Sequence, residues 1–404
     1  MSLRMHVNFI AGAVALALLA SGCSSNNSPT PATSGAVAPM HQGNGQGENG
    51  QGGNGQGENG QGGNGQGHGG KSILKQLKMQ VVIGSTIDGA YGQLNPYGLD
   101  VAKSTSGAFT KGDLAVANFN DNQNVQGTGF TIVALHPKPG STPTLVTSDP
   151  TRLLGPTALA LTSDDTMFVA AFAANDNPVL SSSGSLITNL SGSPFNNPFG
   201  EVYAPGRHDA DGKKGGNDVV YESNAGDGNI IRINIGGSYS SEVIATGFPV
   251  NGGPPGSILG PSGLQYDGQH DTLYVVDGDN NSVTTISKVS SLHGGCLRVM
   301  AHGHKFAGPC GSKARILYEG APLNGPISSA LLFNDSIVVG NTLDPSGSNL
   351  MVEIGKNGKV LDVADVDTGA AGALFGMVAT GTNAGNTKLY FNDDNDNNLQ
   401  VLER

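Results

Sequence analysis

Between residue 95 and the C-terminus one pattern returns six times, and that recurrence limits the folds open to the chain more than any other feature. Each return starts at a turn containing Gly or Pro and enters a short apolar segment. Within about ten residues a second β-branched segment follows and ends near Asn or Asp. The openings are Asn95-Pro96-Tyr97-Gly98-Leu99, Gly155-Pro156-Thr157-Ala158-Leu159, Pro198-Phe199-Gly200-Glu201-Val202, Gly260-Pro261-Ser262-Gly263-Leu264, Gly325-Pro326-Ile327-Ser328-Ser329 and Gly372-Ala373-Leu374-Phe375-Gly376. The second segments are Leu114–Phe119, Thr166–Phe172, Asp218–Ser223, Thr272–Asp277, Ser336–Gly340 and Lys388–Asn392. Third and fourth segments follow in most units, and in the second unit they are compressed into Pro178–Ser182 and Ser185–Asn189. No long helical periodicity interrupts them.

Six such units of about 52 residues predict an all-β, six-bladed β-propeller of four-stranded blades, which leaves no long sheet edge open. The last unit has only three strand segments. The stretch at about 79–84 has fourth-strand character and precedes the first unit. It is expected to pair with the last blade and close the ring.

The chain carries a net charge of −11 with only 13% charged residues, so it lacks the clustered cations that a nucleic acid requires. No nucleic-acid partner is expected. The N-terminus reads instead as an export signal. Arg4 and His6 precede an apolar run from Phe9 to Ala20, too short to span a bilayer comfortably. The run ends in Leu19-Ala20-Ser21-Gly22-Cys23, which resembles the lipobox of bacterial lipoproteins. The resemblance implies a signal peptide over 1–22, acylation of Cys23 and a membrane partner reached through that lipid. Ser24 in the next position implies sorting to the outer membrane of a Gram-negative cell. Residues 23–70 are Ser/Pro-rich and then almost purely Gly, Asn, Gln and Glu. Residues 43–70 hold no apolar side chain to offset the entropy of ordering, and the whole stretch is expected to be a tether for the folded head at 71–404. Cys296 and Cys310 are expected to pair in an exported protein, closing a loop worth roughly 3 kcal/mol. The sharper alternative is a metal held by this pair with His302 and His304.

The segment from Gly260 through Leu273-Tyr274-Val275-Val276-Asp277-Gly278-Asp279-Asn280-Asn281 resembles an NHL repeat, or a blade of the gluconolactonase-like (senescence-marker-protein) propellers. Leu389-Tyr390-Phe391-Asn392-Asp393-Asp394-Asn395 is similar. With no Trp in the chain, Trp-Asp repeat and Trp-docked quinoprotein propellers are set aside. In this architecture the turn into strand one and the loop between strands two and three share a rim. That rim gathers Asn118 to Asn122, Asn224 to Asn229, Asp277 to Asn281, Asn341 to Asp344 and Asn392 to Asn397. Carboxylates and amides are hard oxygen donors suited to Ca²⁺ or another divalent cation.

The candidate ligands are Asp277, Asp279, Asn224, Asn341 and Asp393. The gluconolactonase resemblance implies a metal that polarises a lactone carbonyl and activates water. It places Asp277 at the family's Asp. Ser262 stands where the family has Asn, and Glu319-Gly320-Ala321-Pro322 is similar to its Glu-Gly-Pro segment. The competing reading is that these Asn and Asp residues shape tight turns. No Gly-x-Ser-x-Gly nucleophile elbow is present. Ser181–Ser185 reads as a hairpin turn, and His208 with Asp209 and Asp211 as an exposed loop. The leading expectation is a binding module that holds a protein or small-molecule ligand on one propeller face. A metal-dependent lactonase and a purely structural envelope component are the alternatives.

Overall fold

A computed structural model describes residues 71–206, 216–344 and 346–404. Residues 1–70, with the expected signal peptide, Cys23 and the expected tether, and residues 207–215, with His208, Asp209 and Asp211, lie outside the described residues. Each first strand begins at the turn noted above and is followed by three antiparallel neighbours. After β1 (Met79–Ser85), blade one comprises β2 (Leu94–Val101), β3 (Leu114–Asn120), β4 (Thr131–Leu135) and β5 (Thr144–Ser148). Blade two comprises β6 (Pro156–Leu161), β7 (Met167–Ala171), β8 (Asp176–Leu180) and β9 (Leu186–Ser191). Blade three comprises β10 (Pro198–Ala204), β11 (Asp218–Asn224), β12 (Asn229–Ile235) and β13 (Ser240–Thr246).

Blade four opens with β14 (Pro261–Asp267), β15 (Thr272–Asp277) and β16 (Ser282–Ser287). A hairpin of β17 (Leu297–Met300) and β18 (Lys305–Ala307) intervenes before its last strand, β19 (Ala314–Glu319). Blade five comprises β20 (Pro326–Leu331), β21 (Ile337–Asn341), β22 (Leu350–Ile354) and β23 (Val360–Asp365). Blade six comprises β24 (Leu374–Thr380), β25 (Lys388–Asp393) and β26 (Asn398–Glu403). β1 pairs antiparallel with β26, Met79 opposite Glu403 and Ser85 opposite Asn398. The expected closure is therefore observed, and the protein is a six-bladed β-propeller.

The first strands β2, β6, β10, β14, β20 and β24 touch one another in a closed ring and form the hub. Burial follows distance from it. Strands β3, β4 and β7 are buried throughout, whereas the outermost β5 and β9 are half-buried or exposed. Most first strands carry a β-bulge directly after their opening Pro, as where Pro96 faces Asn118 but Gly98 already faces Ala117. The residue after the bulge is small because neighbouring first strands come close. A Cβ on Gly200 would run into the Ser262 carbonyl, and one on Gly376 into the Tyr97 carbonyl.

The hairpin of β17 and β18 replaces the loop expected around the cysteines. Its first strand runs parallel to β13, Ala245 opposite Leu297, so an insertion in blade four extends the sheet of blade three. Cys296 and Cys310 are buried and disulfide-bonded, as expected. They pack with Ile244, Phe248, Leu297 and Val299. The bond excludes the Cys–His metal alternative. His302 sits with positive φ in the hairpin turn, and His304 faces Glu319 at 3.4 Å.

Candidate functional site

The rim predicted to hold a metal exists, because the last residue of β11, β15 and β21 stands opposite the first residue of its own blade. Asn224 faces Pro198, Asp277 faces Pro261, and Asn341 faces Pro326. The Nδ2 groups of the amides there donate to backbone carbonyls, while Oδ1 of Asn118, Asn224 and Asn392 is buried with no hydrogen-bond partner. Asn224 Nδ2 donates to the Pro194 carbonyl (2.7 Å) and Asn341 Nδ2 to the Pro322 carbonyl (2.7 Å). In blade one, Asn118 Nδ2 donates to the Thr86 carbonyl (3.1 Å). In blade six, Asn392 Nδ2 donates to the Tyr97 and Gly98 carbonyls of blade one (both 3.2 Å).

A second set of amides links consecutive blades. The Oδ1 atoms of Asn175, Asn281, Asn349 and Asn397 accept from the backbone N–H groups of Asn197, Gly325, Ala373 and Asn95 (2.7, 2.7, 3.1 and 2.7 Å). Three of these four have positive φ, which Asn tolerates in tight turns. These four asparagines, none of them among the candidate ligands, shape turns and join blades.

The rim carboxylates divide in the same way. Asp279 is exposed, and its N–H donates to Asp277 Oδ1 (3.1 Å), as does that of Asn280 (3.2 Å). Asp277 itself is buried. Burial pushes its carboxyl up to about 7, assisted by the charge of Asp279 and opposed by the two backbone hydrogen bonds. Asp393 accepts from Gln400 Nε2 at 2.5 Å. Burial, with Asp367 and Asp396 nearby, raises it to about 6, and burial with Asp393 raises Asp394 to about 7. Among the described residues, the groups of three metal-capable His, Cys and carboxylate atoms are His293–Cys296–Cys310 and Asp267–His270–Asp335. Neither includes a candidate ligand of the rim, and the two cysteines of the first form the disulfide. Ser262 donates to the Val276 carbonyl (3.3 Å) rather than facing a metal position. Glu319 ends β19, the outer strand of its blade, and is exposed there.

Just inside the same rim the hub is packed with large side chains. The bulged positions carry Tyr97, Phe199, Ile327 and Phe375, which pack with Phe119 and Phe172 from the ends of second strands. The Tyr97 and Phe375 rings stack at 3.7 Å, and Tyr97 lies 4.4 Å from Phe119. Beneath this plug the collar of small residues leaves a cavity of about 70 Å³, bordered by Glu201, Gln265 and Ser329 among others. That holds a few waters or an ion. Small-molecule sites usually need about 300–1,000 Å³. A cavity of about 300 Å³ opens away from the rim between blades three and four, lined by Tyr221, Arg232, Asn234 and Tyr266. There Arg232 is held by Glu242 at 2.6 Å.

One polar cluster was not anticipated. Glu201 on β10 and Glu222 on β11 are cross-strand partners, and both are buried against Asn177 on β8. Asn177 Nδ2 donates to Glu201 Oε1 and to Glu222 Oε2, the latter at 2.5 Å. Burial raises both carboxyls well above the usual range, and the charge of Glu222 raises Glu201 further. The cluster was legible in part. Pro198-Phe199-Gly200-Glu201 carries Glu where Pro96-Tyr97-Gly98-Leu99 carries Leu.

No protein-family model matches the chain, and no curated protein sequence matches it. Solved structures do. A catalytically inactive virginiamycin B lyase from Staphylococcus aureus with quinupristin aligns at 14% identity and a TM-score of 0.45, covering 80% of this chain and 84% of that one. A streptogramin B lyase aligns at 14% and 0.45, covering 79% and 86%. A calcium-binding protein, regucalcin, from Agrobacterium tumefaciens aligns at 14% and 0.48, covering 80% and 93%. At this distance none of them carries an argument about chemistry.

Proposed function

We propose that the protein is a non-catalytic binding module of the bacterial cell envelope. In this reading, a lipid on Cys23 anchors it in the outer membrane, residues 24–70 act as a tether, and one propeller face engages a protein or extracellular ligand. The observation that supports binding over lactone hydrolysis is the packed hub. An aromatic plug lies beneath the rim, and the cavity under it is about 70 Å³. A lactonase needs an open metal position beside room for its substrate.

Two measurements on the full chain in a Gram-negative host test this reading. The first fractionates cells carrying wild type and Cys23→Ser. Wild type is expected in the outer-membrane fraction with incorporated labelled palmitate, and the variant in the soluble fraction without label. Equal fractionation would sink the anchor. The second screens lactones with Ca²⁺, Mg²⁺, Mn²⁺ and Zn²⁺. Turnover that Asp277→Asn abolishes would replace the binding reading with the enzymatic one.

A further inference from the structure

Five of the six seams between blades are built alike. At each, one residue from strand one and one from strand two of a blade meet one from strand three of the preceding blade. The trios are Leu99, Val116 and Leu399 at the seam that closes the ring, then Leu159, Val169 and Ile132. Next come Leu264, Val275 and Ile230, and then Met377, Phe391 and Met351. At the seam of blades four and five, Val339 and Val283 meet, with Ser329 in the first place. The strand registers assign the same three places at the seam of blades two and three to Glu201, Glu222 and Asn177. Asn177 falls opposite Ala170, as Ile132 falls opposite Ala117. Pairing of β7 with β8 is interrupted there, beside Pro178, which has no N–H to give.

Three polar side chains thus occupy places that elsewhere hold apolar residues, Ser329 excepted, and none is more than 8% exposed. Ionised carboxylates in such a place are strongly unfavourable unless an opposite charge meets them. The partners present are the neutral Asn177 amide, the other carboxyl of the pair and, for Glu201, the Ala170 backbone. Glu201 Oε2, Glu222 Oε1 and Asn177 Oδ1 are buried with no hydrogen-bond partner. Glu201 also borders the water-sized cavity of the hub.

We propose that Glu201, Glu222 and Asn177 form a binding site for a hard divalent cation at the seam of blades two and three. Two carboxylates offset its charge, and the amide oxygen supplies a third ligand after a half-turn of the Asn177 side chain, which exchanges Oδ1 for Nδ2 in nearly the same space. Waters in the hub cavity complete the shell on the Glu201 side. The site lies in the body of the ring, away from the rim residues first suspected, and it would brace blade two against blade three.

The test uses the full-length protein. Bound metal is measured by elemental analysis after equilibration with Ca²⁺, Mg²⁺, Mn²⁺ and Zn²⁺ in turn, and thermal unfolding is followed with and without EDTA. The expected result is one equivalent of one of these ions per chain and a lower Tm in EDTA. The seam-repair variant Asn177→Ile/Glu201→Leu/Glu222→Val copies the blade one–two trio. It is expected to fold, bind no ion and ignore EDTA. The near-isosteric Glu222→Gln, offered in case the triple variant does not fold, should weaken binding at least tenfold. Absence of bound ion and of any Tm response in wild type would overturn the proposal and leave a carboxylic-acid pair held by protons. Undiminished binding by either variant would overturn it too.

Discussion

Asp277 shows how little a residue's type says about its task until its surroundings are known. From sequence it was the best metal candidate, since it ends a strand on a rim rich in amides. In the fold its Oδ1 caps the following turn, accepting from two backbone N–H groups. What remains is a buried carboxyl pushed up to about 7. The unfolded chain holds an Asp near its ordinary value of about 3.9, so between the two values the folded state binds more protons. The stabilisation this gives is complete below about pH 4 and is lost as pH rises through about 7. Asp393 and Asp394, raised to about 6 and about 7, add in the same direction. Denaturant unfolding across this range should show stability falling with pH. Asp277→Asn keeps the acceptor of both turn hydrogen bonds and removes the titration. It should flatten the profile by as much as about 4 kcal/mol. A variant profile parallel to wild type would show that Asp277 does not titrate in this window.

At the scale of strands and turns the sequence was more informative. Strand positions followed from β-branched runs between Gly, Pro and Asn turns. The missing strand of the last blade pointed to β1, because a propeller with an open blade leaves an edge unpaired. The hairpin of β17 and β18 was not legible. Its short strands lie among Gly and His residues, and they become strands by pairing with blade three, more than 40 residues away in the chain. The destination of the turn asparagines was hidden for the same reason, as each reaches the next blade. Asn281 measures what such a link contributes. Its Oδ1 accepts from Gly325 N–H at 2.7 Å, and its own φ is +49°. Asn281→Ala removes the acceptor and puts Ala in the left-handed region, for a combined loss of about 2–3 kcal/mol. Asn281→Asp keeps both features and should stay within about 1 kcal/mol of wild type. Chemical denaturation of the pair separates the two effects. Equal losses would mean that neither the acceptor nor the backbone conformation of Asn281 contributes to stability.

The whole molecule is a ring, so its stability depends on the one place where chain ends meet. β1 supplies the outer strand of blade six, and the residues before it continue the attachment. Ile73, Leu74 and Leu77 enter the core cluster of blades five and six, and Ile83 that of blades six and one. Glu353 of β22 holds the segment down. Its carboxylate accepts from Ser72 Oγ (2.6 Å), Ile73 N–H (3.1 Å) and Leu74 N–H (2.9 Å), and Ser336 Oγ donates to it from below (2.7 Å). Four buried aliphatic side chains account for about 6–12 kcal/mol by area, within the range of a whole domain's stability of about 5–15 kcal/mol. Deleting residues 71–86 from the full chain should therefore leave no cooperative thermal transition, or one lowered by tens of degrees. Glu353→Gln, which keeps the fold's apolar closure and weakens only the clamp, should cost about 1–3 kcal/mol. A deletion variant that melts like wild type would mean that blade six stands without β1, and the ring would not be held by its ends. The graded pair distinguishes closure from clamping. The same logic explains why the polar seam between blades two and three is tolerated: four apolar seams, a fifth with Ser329 as its one polar member, and the β1–β26 pairing hold the rest of the ring.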